Sequence, residues 1–184
     1  MDFQRLKDDI YVSTDICTSE AGRFLQITKE LEETCNTITV AIAPELYISA
    51  EAAILLLKQG VGLDSILNCV NNWMSVWSGL SLIVNRTTLA HRDQGAAASA
   101  YDLLVVGGTH TKCTLDVPDL GARFSYLPGT IVAISGKVLQ HKVDGWDGRD
   151  QICAAHFIKD AVHSRLNQIR PSWPQLQSYL NFTK

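Results

Sequence analysis

The feature that most constrains this chain is a series of six short apolar segments in its second half, residues 79–84, 102–106, 122–126, 130–134, 138–142 and 152–158. Turn chemistry separates them: Asp93-Gln94-Gly95, Gly107-Gly108, Pro118-Asp119-Leu120-Gly121, Pro128-Gly129 and Asp144-Gly145-Trp146-Asp147-Gly148. Short strands at this spacing predict an antiparallel sandwich or jelly roll. The first half reads as helical. Ala21, Phe24, Leu25, Thr28, Leu31 and Cys35 follow i, i+3, i+4, i+7 spacing, with Thr18 or Ser19 as N-cap. Ser49 is the expected cap of a second helix through residues 52–57 that stops at Gly60, and Asp64 of a third carrying Ile66, Leu67 and Val70. A short closing helix is expected around residues 174–180. The fold class is therefore α+β, a jelly-roll core supported by N-terminal helices. With no repeat or linker, the 184 residues read as one domain: 1–74 mainly helical support, 75–165 the β core, 166–184 a closing segment.

Composition narrows the function classes. Hydrophobic residues make up 46% and charged residues 19%, which excludes a disordered or fibrous chain. Apolar runs such as residues 52–57 are far shorter than the roughly 20 residues of a bilayer crossing, and Lys7-Asp8-Asp9-Ile10 is no secretory leader, so a soluble intracellular protein without membrane contact is expected. Cys17, Cys35, Cys69, Cys113 and Cys153 form no CxxC or CxxH pair, so no zinc site is expected and the cysteines read as buried thiols. The net charge of −3 argues against a generic nucleic-acid coat. It hides an asymmetry: residues 1–85 carry five Lys/Arg against eleven Asp/Glu (−6), and residues 86–184 eleven against eight (+3). The positive half fits an anionic substrate.

The sharpest local motif is His91-Arg92-Asp93. On an extended strand residues i and i+2 face one side, so His91 and Asp93 reach a common point. An imidazole and a carboxylate suit iron(II), manganese or zinc, and a third ligand would complete a site. Fifty residues on, a glycine-led strand ends at His141, and past a turn lies Arg149, whose planar fork binds carboxylates. Each residue alone has a plainer reading: His91 and His141 as hydrogen-bonded strand histidines, Arg149 as the partner of Asp147 or Asp150. Their joint order is much harder to obtain by accident.

That order resembles the iron(II)/2-oxoglutarate dioxygenases. His91-Arg92-Asp93-Gln94-Gly95 and residues 127–162 are similar to the TET/JBP branch of nucleic-acid oxidases, in particular its short fungal members, over about residues 80–165. The resemblance implies a double-stranded β-helix (cupin-like) core, with His91, Asp93 and His141 as metal and catalytic residues. It implies Arg149 on the distal carboxylate of 2-oxoglutarate and Arg86 at the co-substrate's other end. Fe(II), 2-oxoglutarate and O2 are the implied cofactors, and the implied reaction converts a methyl group on a DNA base, 5-methylcytosine or N6-methyladenine, to hydroxymethyl with release of succinate and CO2. Asn85 and Phe157 are the expected substrate contacts, methylated DNA with a flipped or single-stranded base the expected partner, and the nucleus the expected location. The stretch after Asp93, Gln94-Gly95-Ala96-Ala97-Ala98, lacks the acidic base reader of 5-methylcytosine enzymes, so the base stays open. By alternation Arg149, Gln151, Cys153, Ala155 and Phe157 share one strand face, with His156 opposite.

Lesser candidates complete the set. His110 reads as a solvated loop residue, His163 and Arg165 as exposed, Trp73 and Trp77 as core, and Arg123, Lys137 and Lys142 as phosphate contacts. Two other classes remain: a 2-oxoglutarate oxygenase acting on a protein side chain or small metabolite, and a non-catalytic β-sandwich binding module.

Overall fold

The computed structural model describes Ile10 and residues 13–60 and 70–172. The third expected helix falls, but for Val70, outside these residues, and so does the closing helix at 174–180. The described residues form two compact units, one from the stretches 1–76 and 161–169, the other from 77–160 and 170–184.

The first unit is helical. Helices α1 (Ser19–Ile27), α2 (Lys29–Ile42) and α3 (Pro44–Lys58) bury Leu25, Cys35, Leu46, Ala50, Ala53, Ile54 and Leu57. The Thr18 side chain accepts the Ala21 N–H at 3.1 Å and caps α1, as its sequence position predicts. The helix expected to run through Cys35 breaks at Thr28, whose hydroxyl bonds the Phe24 carbonyl at 2.9 Å. Helix α3 starts earlier than expected, because Pro44 fits the first turn, where its missing N–H costs nothing. Ser49 therefore lies inside it and its hydroxyl donates to the Ile169 carbonyl at 2.5 Å. Burial, with the charge of Glu32, pushes the Cys35 thiol up to about 12, so it is inert. The short helix α4 (Asp160–Arg165) carries His163, which is buried rather than exposed. No helix among the described residues is long and apolar enough to cross a membrane.

The second unit is two antiparallel four-stranded sheets. The strands are β1 (Gly79–Val84), β2 (Thr88–His91), β3 (Asp102–Gly108), β4 (Thr114–Val117), β5 (Ala122–Ser125), β6 (Ile131–Ile134), β7 (His141–Val143) and β8 (Gln151–Phe157). Their order is β1-β8-β3-β6 in one sheet and β2-β7-β4-β5 in the other. This is the α+β jelly-roll arrangement expected of the sequence. Two details differ. Strands β2 and β4 were not among the six apolar segments: β2 is only four residues long and ends in a histidine, and Asp116 interrupts the apolar run of β4. The segment at 138–142 shrinks to β7, because Val138 and Leu139 donate their N–H groups back to the Ser135 carbonyl in a turn.

Side chains of period two from both sheets fill the space between them. Val106, Cys113, Leu115, Val117, Tyr126, Ile134 and Cys153 form the core, with Ile83, Leu104, Val132 and Val143 packed against it. His110, expected in solvent, is buried at the edge of this unit, with its ring nitrogens 3.2 Å from the Asp150 carbonyl and 2.8 Å from that of Tyr126. Arg123 and Lys142 meet Asp116 at 2.7 and 3.3 Å, so their charges are already engaged on the protein.

Leu115 is fully buried in this core, whereas Leu89 is 88% exposed. Leu115→Ala is expected to cost about 2–5 kcal/mol and Leu89→Ala less than about 0.5 kcal/mol, measured by denaturant unfolding.

Candidate metal centre

Strands β2 and β7 pair antiparallel with His91 opposite His141, which joins residues fifty positions apart in the chain. The two imidazole centroids lie 4.3 Å apart at an interplanar angle of 50°. Asp93 follows β2 by two residues. Its Oδ1 lies 3.5 Å from His91 Nε2 and its Oδ2 3.7 Å from His141 Nε2. One donor atom from each of the three residues falls within 4.8 Å of the others.

The tautomers are set by the main chain. His91 Nδ1 lies 2.8 Å from the Leu89 carbonyl and His141 Nδ1 lies 3.1 Å from the Leu139 carbonyl. A carbonyl only accepts, so each Nδ1 carries the proton and each Nε2 lone pair faces the carboxylate of Asp93. Two imidazole nitrogens with outer hydrogen bonds and one carboxylate are the donor set of a non-haem iron(II) site, and they fit such an ion.

Three further groups hold this geometry. The Asp93 N–H donates to the Gly136 carbonyl at 2.9 Å, and a Cβ at Gly136 would overlap Asp93 Oδ2 and stand 2.6 Å from Asp102 Oδ2. Only glycine fits there. Arg92, between the two β2-side ligands, donates from Nε to the Val138 carbonyl at 2.9 Å and from its terminal nitrogen to Asp119 at 2.8 Å. Asp119 also accepts the N–H of Gln140, the residue before His141, at 2.6 Å. The ligand-bearing segments are thus tied to each other by side chains as well as by the ladder. Asp102, buried at the start of β3, stands against the main chain of Gly136 and the carboxyl of Asp93. Burial first, then the charge of Asp93, push its pKa up to about 7.

The triad opens onto a cavity of about 350 Å³, within the range of small-ligand sites. One sheet contributes Ser81, Ile83, Leu104, Cys153 and Ala155, and the other Leu115 and Val143. Tyr126 and Cys153 meet through oxygen and sulfur at 3.1 Å, and burial raises the pKa of both, so this wall carries no charge. Arg86 and Phe157 line the cavity as the sequence suggested. Phe157 packs over Gly79, where any side chain would overlap its ring.

Two of the expected residues do not line the cavity. Arg149 is absent from the cavity wall: its side chain is 60% exposed, with Nε 4.0 Å from Asp147. The reason is that β8 begins only at Gln151, so strand alternation does not reach back to Arg149, whose carbonyl accepts the Trp146 indole N–H at 2.6 Å within the preceding turn. Asn85 also lies outside the wall. It has φ 50° and is tied to the main chain of β8: its backbone N–H donates to the Gln151 carbonyl and its side-chain Oδ1 accepts the Gln151 N–H, both at 2.8 Å. Sequence reading missed Asp102 and the Arg92–Asp119 link, and it set Gln151 on the strand face of Cys153 and Ala155 without giving it a role. Asp102 had a usable signal, since it shares its strand's inward period with Leu104.

The chain matches the model of the TET/JBP family, the oxygenase domain of the 2OGFeDO superfamily, over residues 13–160. Among solved structures, NgTET1 in complex with 5mC DNA aligns at a TM-score of 0.64 and 12% identity, covering 94% of this chain and 63% of that one. The chain thus spans under two thirds of that protein's length. A Cupin 2 conserved barrel domain protein from Salinispora arenicola aligns at a TM-score of 0.34 and 16% identity, over 48% of this chain and 68% of that one. No curated protein matches the chain in sequence.

Two outcomes are expected. Gly136→Ala should displace Asp93 and weaken Mn(II) binding at least tenfold, read by calorimetric titration, with the circular dichroism unchanged. For Asp102, the folded pKa lies above the unfolded value, so the folded state holds the extra proton. The cost of ionising it in the fold is absent below about pH 4 and grows as pH rises to about 7. Asp102→Asn should therefore stabilise the metal-free protein above pH 7, by a few kcal/mol at most, and leave its stability unchanged below pH 4 in denaturant melts.

Proposed function

Since the chain belongs to the TET/JBP family of oxygenase domains in the 2OGFeDO superfamily, we propose that it is an iron(II)- and 2-oxoglutarate-dependent dioxygenase that oxidises the methyl group of a methylated base in DNA. The observation that carries this reading is the His91, Asp93 and His141 cluster at the wall of an apolar cavity that also holds a guanidinium and an aromatic ring. Bound iron(II), with 2-oxoglutarate and O2, supplies an oxidant able to hydroxylate a methyl C–H bond, releasing succinate and CO2.

The chain's own residues do the rest. His91 and His141 present Nε2 and Asp93 a carboxylate oxygen, so three protein donors hold the metal and leave positions for small ligands. Arg86 offers a guanidinium to the 2-oxo acid end of the co-substrate. Leu104, Leu115, Tyr126 and Val143 keep that space apolar and limit water at the reacting centre.

A stacked base cannot reach a centre set between two sheets, so the target nucleotide is flipped out or already single-stranded. Phe157 gives the extruded base an aromatic face, and the Lys159 ammonium stands 5.9 Å from its ring centroid. Of Gln94, Gly95 and Ala96, which form this part of the wall, only Gln94 carries a side-chain donor, which supports loose discrimination between cytosine and adenine marks. The NgTET1 structure with 5mC DNA supports the substrate class. A DNA substrate would place the protein in the nucleus.

The test is succinate release with iron(II) and 2-oxoglutarate across methylated oligonucleotides, nucleosides and peptides. Single-stranded or mispaired methylated DNA should turn over fastest, Asp93→Ala should abolish turnover with the fold retained, and oligonucleotide affinity should fall as salt rises. Turnover on a methylated peptide and on no oligonucleotide would replace this reading with a protein-side-chain oxygenase.

A further inference from the structure

One pair in the cavity wall has no part in holding the metal. Tyr126 follows β5 and Cys153 lies in β8, so they come from opposite sheets, and the phenol oxygen stands 3.1 Å from the Cys153 sulfur. Both line the cavity onto which His91, Asp93 and His141 open. Cys153 is the one thiol in that wall among the described residues, and the two side chains are 1% and 4% exposed, closed to bulk water. Burial keeps phenol and thiol protonated, so each carries a hydrogen that an oxidant can remove. Around them Leu104, Leu115 and Val143 offer only aliphatic C–H bonds. An oxidising centre that turns over with no substrate in place acts on the most easily oxidised groups beside it, and here those are a thiol and a phenol.

We propose that Tyr126 and Cys153 are a modification site for the protein's own chemistry, joined by a thioether between the Cys153 sulfur and the ring carbon next to the phenol hydroxyl. The inference rests on the oxygenase reading above. The S–H bond and one ring C–H bond break, one C–S bond forms, and the two hydrogens leave in a molecule of water. 2-Oxoglutarate and O2 supply the oxidising equivalents: one oxygen atom ends in succinate and the other in that water, with release of CO2. The hydrogen-bond contact already holds the sulfur against that edge of the ring. The link spans twenty-seven positions of the chain and ties β8 of one sheet to the end of β5 in the other, beside the metal centre. Thiols reverse a disulfide and leave a thioether intact.

The experiment incubates the full chain with Fe(II), 2-oxoglutarate and air in the absence of DNA, measures succinate, and then digests the reduced protein with trypsin for mass spectrometry. Residues 124–137, which hold Tyr126, and 150–159, which hold Cys153, should emerge as a single species two hydrogens lighter than the two fragments together. That species should resist dithiothreitol and be at least tenfold more abundant than in a sample kept without O2. Tyr126→Phe, which keeps the ring and removes the hydroxyl that activates it, and Cys153→Ala should each abolish it, and either variant suffices if the other fails to fold. Asp93→Ala should give neither succinate nor joined fragments. Succinate release with the fragments separate, or with oxygen added to either residue in place of the link, overturns the assignment and leaves the oxygenase reading standing. A link that forms equally in Asp93→Ala overturns it as well, since the bond would then come from ambient oxidation. Absence of succinate removes the oxygenase reading, and this assignment with it.

Discussion

The antiparallel pairing of β2 with β7 sets His91 against His141, and the candidate centre exists only in that register. Side chains alternate along a strand, so a slip of one residue would turn one imidazole from the cavity to the opposite face and leave two ligands in place of three. The strands that carry this register are short, four and three residues. Two strands of that length cannot hold a register by themselves. It is held by what lies around them: β4 on the far side of β7, the main-chain bond from Asp93 to Gly136, and the Arg92–Asp119 link to the residue preceding His141. The Arg92–Asp119 pair is half exposed and adds little stability, of order 0–1 kcal/mol, so its contribution is positional.

Charge around the centre is arranged with the same restraint. Asp93 and Asp102 both crowd Gly136, and two carboxylates at such a distance do not ionise independently. Burial, with the Asp93 charge beside it, holds the Asp102 carboxyl above the ordinary carboxylate range. Elsewhere the wall is apolar or neutral, which leaves Arg86 and Lys159 as the cationic side chains of the cavity.

Much of this was legible in the sequence, for identifiable reasons. Strand β1 coincides with the apolar segment 79–84, and β3, β5, β6 and β8 lie within a residue or two of theirs, because buried strands in a sandwich read as apolar runs bounded by turns. The triad was legible from the His-x-Asp spacing and a later strand histidine, although β2 ends at His91 and Asp93 lies two residues beyond it. Arg149 was misplaced because alternation was carried past the point where β8 starts, and a strand's first residue is the least certain part of any such reading. His110 was read as a solvated loop residue and His163 as exposed, but burial depends on contacts distant in sequence, as the Tyr126 carbonyl on His110 shows. The role of Asn85 was also unreadable, since an asparagine beside an arginine gives no hint that its amide will clasp a strand sixty-six residues away.

The carbonyls of Leu89 and Leu139 that fix the two ligand rings belong to the main chain. Any residue can supply a carbonyl, so the orientation of the imidazoles is written into the path of the backbone and does not depend on which side chains stand next to them. The identities at positions 89 and 139 can drift without disturbing the tautomers, provided the two strands keep their course. A centre built this way tolerates extensive change in its immediate sequence neighbourhood, and what it demands of the chain shrinks to three ligands, one glycine and a register.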